Sequence, residues 1–134
     1  MAIQLTQPQL DVGLVTVNES QAMLFYRDTL GLPQESDLSF PGVGVIKRFK
    51  VGNSLLRLVI AEEEPAFKGS TEGFLSQTGI RYLTLVIANL DEIVAAVKSA
   101  GFKVSVDIMT LRPGTRVAQV EDADGNAVEL IQID

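Results

Sequence analysis

Apolar and β-branched residues gather in short runs separated by turn formers, and the runs fall into two matching sets. Residues 10–17 (LDVGLVTV) read as a strand. Asn18, Glu19 and Ser20 then offer helix-capping chemistry. Ala22, Phe25, Tyr26 and Leu30 recur at helical spacing, which predicts a helix over 21–30 ended by Gly31 and Pro33. After a short extended piece, 43–51 and 54–60 are strands joined at Gly52-Asn53, a tight-hairpin signal. The second half repeats this order: strand 80–88, helix 90–100 preceded by Asn89 and stopped by Gly101, a short strand at 103–108, and a strand pair at 114–122 and 126–133. Asn18 corresponds to Asn89, Gly31 to Gly101 and Gly52-Asn53 to Gly125-Asn126, at shifts of 71, 70 and 73 positions. Agreement of element order at a near-constant shift marks an internal duplication of a β-α-β-β-β module. The first module spans about 8–61 and the second about 80–133. The linker between them, 62–79, is rich in Glu, Gly, Ser and Thr and reads as a solvated connection. Its Phe67 and Phe74 keep open a second role as a lid.

Two strands carry a full charge at their centre: Arg57 within 53–60 (NSLLRLVI) and Glu129 within 126–133 (NAVELIQI). Side chains alternate across a strand, so Arg57 shares a face with Leu55 and Val59, away from Leu56, Leu58 and Ile60. Glu129 likewise shares a face with Ala127 and Ile131, away from Val128 and Leu130. The wholly apolar face must meet the helices, which leaves both charges on the opposite, open face.

Composition narrows the chemistry. A length of 134 residues fits one domain, or two small halves sharing a core. The net charge of −6 disfavours nucleic acid and anionic membranes and favours a cationic ligand. There is no cysteine, hence no disulfide framework and no thiol chemistry. There is no histidine, which removes the commonest general base and the commonest transition-metal ligand. The opening MAIQLTQPQL lacks the features of a signal peptide, and no apolar run approaches the ~20 residues of a membrane helix. These readings lead to the expectation of a soluble cytoplasmic protein.

NESQAMLFYRDTLGL, with its Phe-Tyr followed by Leu-Gly, and VEDADGNAVELIQ, with its acidic glycine turn leading into a final strand, carry a resemblance. The chain resembles the vicinal oxygen chelate superfamily, which holds glyoxalase I, extradiol dioxygenases, methylmalonyl-CoA epimerase, and the fosfomycin and bleomycin resistance proteins. Ala123 stands where the family turn has proline. The resemblance implies an α+β fold of two tandem βαβββ modules, an open curved mixed sheet of half-barrels with helices outside and a concave cleft inside.

In glyoxalase-like members a metal is held in that cleft by the first and last strand of each module. Position by position, the resemblance carries those places onto Asp11, Arg57, Tyr82 and Glu129. The family's ligands there are mainly His, Gln and Glu, so only Glu129 matches. Tyr82 is a poor divalent ligand and the Arg57 cation repels one. No metal site and no cofactor are therefore expected. Three roles stay open for the four residues. They form an ion pair in place of a metal; or Arg57 binds a carboxylate, phosphate or carbonyl while Asp11 or Glu129 takes an amine or hydroxyl; or Glu129 or Asp11 acts as base and Tyr82 as acid in metal-free proton transfer. Arg116 joins the candidate ligand-binding residues, because it alternates with Ala118 and Val120 on the penultimate strand. Lys47 and Arg48 lie on opposite faces of strand 43–51, so at most one points inward. Met109 and Leu111 either wall a cavity or simply pack. The implied function is metal-free binding of a small organic molecule, as in the bleomycin resistance branch. The alternative is a lyase, isomerase or dioxygenase-like enzyme with an unconventional metal set or none. Relatives pair into dimers, so a homodimer is expected.

Overall fold

The computed structural model describes residues 1–134. Its strands are β1 (Val12–Thr16), β2 (Leu38–Phe40), β3 (Gly44–Val51), β4 (Ser54–Ala61), β5 (Tyr82–Val86), β6 (Lys103–Arg112), β7 (Thr115–Glu121) and β8 (Ala127–Ile133). Helix α1 (Glu19–Met23) runs into a π-helical turn over Leu24–Thr29, and α2 covers Leu90–Ser99. The strands form two open four-stranded mixed sheets of identical topology, β1-β4-β3-β2 and β5-β8-β7-β6. In each, the first strand runs parallel to the last, and the other neighbours are antiparallel. This is an α+β fold with the duplication visible in its connectivity. All four glycines matched between the halves adopt positive φ: Gly31, Gly52, Gly101 and Gly125. They stop the helices and close the hairpins with a backbone that other residues adopt at a cost.

The compact units do not follow the two halves of the sequence. One unit comprises Met1–Val17 and Leu32–Glu64, and the other Asn18–Gly31 and Pro65–Asp134. Thus α1, which lies within the first sequence module, belongs to the second unit. Its aromatic residues explain this. Phe25 is fully buried and meets Phe102 edge-on at 5.0 Å, and the buried Tyr26 hydroxyl donates to Asp122 Oδ2 at 2.7 Å.

The helix expected over 21–30 is regular α only through Met23. Beyond it the turn widens: Leu30 N–H reaches back to Phe25 O, and Thr29 Oγ1 donates to Leu24 O. Such π turns stay in place where side-chain contacts over-determine them. Here Phe25 and Tyr26, neighbours in sequence, both face inward. Asn18 and Asn89 stand at the N-caps, but without side-chain cap bonds. The Asn89 amide donates instead to Glu92. The short strand expected at 103–108 runs on to Arg112, and three register irregularities against β7 let this long edge strand bend.

The core of the second unit is a two-layer packing. Leu90, Val94 and Val97 of α2 are buried, as are Ala118, Val120, Val128 and Leu130 of the sheet. In the first unit the buried sheet residues are Phe49, Leu56 and Leu58, with Thr16 at the end of β1. In both sheets these rows have the opposite parity to the central charges, and in the second sheet Val117 and Ala127, on the Glu129 face, are buried as well. No helix is long and apolar enough to cross a membrane.

Candidate functional site

On the first sheet Arg57 lies on the open face, opposite Gly13 of β1 and Arg48 of β3. Its Nη2 donates to Asp11 Oδ2 at 3.1 Å. Asp11 sits just before β1, fixed by its other oxygen, which accepts Leu55 N–H at 2.8 Å and Gln9 Nε2 at 3.3 Å. The pair is semi-exposed, with side-chain exposures of 39% for Arg57 and 23% for Asp11. Asp11 is thus the anchored member, and the guanidinium keeps contact with solvent. The structure brings Asp11 and Arg57 together.

On the second sheet Glu129 occupies the equivalent place on β8, beside Thr84 of β5 and Gln119 of β7. Its Oε1 accepts the Thr84 hydroxyl at 2.8 Å. Tyr82 lies on the same face one row along, half-exposed, with its ring edge-on to Phe74 at 5.8 Å. Phe74 opens a short 3₁₀ turn, and the segment Phe74–Tyr82 lines an open depression of about 630 Å³. Arg81 is spent on this segment, donating to Gln77 O and Gly73 O. Phe74 therefore supplies an aromatic wall beside Tyr82, whereas Phe67 stands exposed. Along the same face, Val86, Ile131, Val117 and Met109 form an apolar row next to the Thr84–Glu129–Gln119 row.

Arg116 is not on the open face. It shares parity with the buried Ala118 and Val120, and its guanidinium makes two bonds to Asp91 of α2, at 3.2 and 3.0 Å. That pairing lowers the Asp91 carboxyl and raises the Arg116 guanidinium, in both cases chiefly through the hydrogen bonds. Its alternation with Ala118 and Val120 was itself the sign of the helix side.

Hairpin register decides which of Lys47 and Arg48 shares the face of Arg57. With Val51 opposite Ser54 across Gly52-Asn53, residue 48 must face residue 57. Lys47 is on the other face and bonds Asp37 at 2.7 Å.

The signature segments named for the resemblance meet in the second unit. Asp122 accepts Asp124 N–H, Asn126 N–H, Asn126 Nδ2 and the Tyr26 hydroxyl, so one carboxylate ties the acidic turn to the helix. Burial raises the Asp122 carboxyl above its ordinary value against the lowering effect of Tyr26 and Asn126. Burial first, then the adjacent Asp122 charge, pushes the Tyr26 hydroxyl well up. These two residues are a structural joint.

Residues 10–130 match the model of the Glyoxalase/Bleomycin resistance protein/Dioxygenase superfamily. The chain belongs to that superfamily. A glyoxalase family protein from Bacillus cereus aligns with a TM-score of 0.82 at 16% identity, covering 99% of both chains. An antibiotic-binding protein, TnmS3, from a Streptomyces species aligns at 0.67 and 23% identity, covering 100% of this chain and 99% of that one. A lactoylglutathione lyase from Agrobacterium tumefaciens aligns at 0.63 and 21% identity, covering 92% and 91%. No curated protein sequence matches the chain.

At the four positions that the resemblance assigns to metal ligands, the residues present do not make a ligand set. Nowhere does a group of three His, Cys, Asp or Glu side chains gather closely enough to hold one. One of the four places is a guanidinium bonded to a carboxylate at another, and a third is a tyrosine against a phenyl ring.

Proposed function

We propose that this superfamily member binds a small organic molecule without a metal, and that Arg57 is its principal recognition residue. The observation that carries the reading is the Arg57–Asp11 bond, which holds a partly exposed fork of donors at a position that the resemblance assigns to a metal ligand. Asp11 uses one of the five guanidinium N–H groups, which leaves others for a carbonyl or an oxyanion. On the second sheet, Glu129, Thr84 and the Tyr82–Phe74 rings suit a ligand with a hydrogen-bond donor and an apolar body. The likeness to an antibiotic-binding protein supports this reading at the level of the fold. A second reading is metal-free proton transfer, with Glu129 or Asp11 as base and Tyr82 as acid. It is favoured by Tyr82 and Glu129 sharing one face on neighbouring strands.

Protein purified without chelators should carry well under one equivalent of zinc, nickel, iron or manganese. In a thermal-shift screen of small organic molecules, hits on the native chain should vanish with Arg57→Met. That change should itself cost only about 1 kcal/mol, because the pair is partly solvated. One equivalent of metal that disappears in Glu129→Ala, or hits indifferent to Arg57, would refute the proposal. Turnover that resists chelation and collapses in Glu129→Gln would favour the second reading.

We further propose that two chains pair. β1 and β5 end their sheets, each paired with a neighbouring strand along one side only. Light scattering at micromolar concentration should give twice the chain mass of 14.5 kDa, and a monomer would remove the claim.

A further inference from the structure

We infer that the Arg57 face of the first sheet recognises the carboxylate of an organic acid, against the sign of the protein's overall charge. The inference rests on the reading that this face binds a small molecule, and it names the ligand class.

Arg48 and Arg57 are direct partners in the β3–β4 ladder, so their side chains leave the sheet on one face with Cβ atoms about 5 Å apart. Like charges placed directly opposite destabilise a sheet. Their environments show how this one tolerates them. Arg57 leans to the β1 side and bonds Asp11. Arg48 leans to the β2 side, where its Nε donates to Ser36 O at 2.9 Å and its Nη2 to Ser36 Oγ at 3.1 Å. Ser36 is neutral, so the Arg48 bonds satisfy donors without compensating charge. Lys50, of the same parity, meets only Glu35, at 3.6 Å between two exposed side chains. This face therefore presents Arg48, Arg57 and Lys50 against Asp11 and Glu35, a local excess of one positive charge in a chain of net charge −6.

The duplication supplies an internal comparison. In the second sheet the corresponding ladder partners are Gln119 and Glu129. The double arginine is thus a property of the first sheet and not of the module. The adjoining row on the same face is Val15, Val59, Ile46 and Leu38, apolar throughout and 58% exposed at Val15. An anion entering above the β3–β4 ladder meets guanidinium donors from both sides, with an apolar strip beside it for the rest of the molecule. Planar guanidinium forks match the two oxygens of a carboxylate better than a point cation does. Asp11 competes for one of these forks.

The test is a set of titrations of the full chain, followed by ¹⁵N-resolved amide shifts, with benzoate, phenyl phosphate, benzamide and benzylamine as probes. Benzoate should saturate, with shifts centred on residues 46–48 and 57–59. Arg48→Gln and Arg57→Gln should each weaken it by at least about fivefold, and Asp11→Asn should tighten it severalfold by freeing the Arg57 donors. Benzylamine should not saturate at this face. Phenyl phosphate binding more than about tenfold tighter than benzoate would overturn the carboxylate assignment in favour of a phosphate monoester. Benzamide or benzylamine binding there as well as benzoate would leave small-molecule binding standing and overturn the anion class. Benzoate binding unchanged in both arginine variants, or no saturation by either anion at millimolar concentration, would overturn the inference outright. Should Arg57→Gln not fold, Arg48→Gln decides alone, since its guanidinium holds only an exposed loop serine.

Discussion

Alanine at Gly44 should destabilise the protein by about 3 kcal/mol or more, the largest effect we expect of any single methyl group in the chain. Gly44 opens β3 with φ at +132°, a backbone region where side chains are strained. Space compounds the strain. A Cβ there would be driven into the carbonyl oxygen of Ile60 and would lie 3.0 Å from Glu62 N. Neither backbone atom can swing aside, because Glu62 N–H is bonded to Val43 O at 3.0 Å and Gly44 is in register with Ala61. The crowded end is part of the open face, since Gly44 shares the parity of Ile46 and Arg48. Gly42 is the control: its φ is +81° but nothing lies within 4 Å of its missing Cβ. Gly42→Ala should therefore cost only about 1 kcal/mol, for backbone strain alone. Urea unfolding of the two variants should separate them by at least about 2 kcal/mol. Equal and small losses would mean that the β2–β3 turn does not hold Gly44 against β4.

What could be read from sequence follows the range of the forces involved. Strand parity is strict and local, so the open-face positions of Arg57 and Glu129 follow from the alternation of residues 54–60 and 127–132. Glycines at helix stops and hairpins are local too, which is why Gly31, Gly52, Gly101 and Gly125 mark the duplication and all have positive φ. The Asp11–Arg57 proximity follows once β1 is taken as the parallel neighbour of β4. By contrast, the π turn at Leu24–Thr29 is imposed by Phe102 and Asp122, far along the chain, and nothing in LFYRDT announces it. The same contacts draw α1 into the second unit, against its place in the repeat. Arg116 lies on the helix side for a different reason. Its same-face neighbours Ala118 and Val120 are buried, and strand alternation sets its direction whatever its chemistry. Arg48 was within reach, because hairpin register alone pairs it with Arg57.

Tyr26→Phe should cost about 2 kcal/mol at pH 7, and the loss should shrink as the solution is acidified. The hydroxyl is one of four donors to the buried Asp122, and a hydrogen bond to a charged group is worth about 1.5–3 kcal/mol. Burial holds the Asp122 carboxyl above its ordinary value of 3.8, so the fold favours its protonated form. A raised carboxyl contributes stability that is full below the unfolded value and is lost as pH rises through the folded value. Asp122 is thus a liability at neutral pH, offset by its donors. The Tyr26 bond is one of the influences that lower this carboxyl, so its removal raises the carboxyl further and lets the native state bind its proton more tightly. The difference between the native chain and Tyr26→Phe must then be smallest where both carboxyls are protonated and must grow as pH climbs past the raised values. Tyr26 itself stays protonated throughout, since its own hydroxyl is pushed up by the same burial and the same neighbour. Urea unfolding of both proteins between pH 4 and pH 8 measures this directly. A loss independent of pH would mean that the hydroxyl meets Asp122 as a packing group only, and that the charge at the acidic turn is held by Asp124 N–H and Asn126 without it.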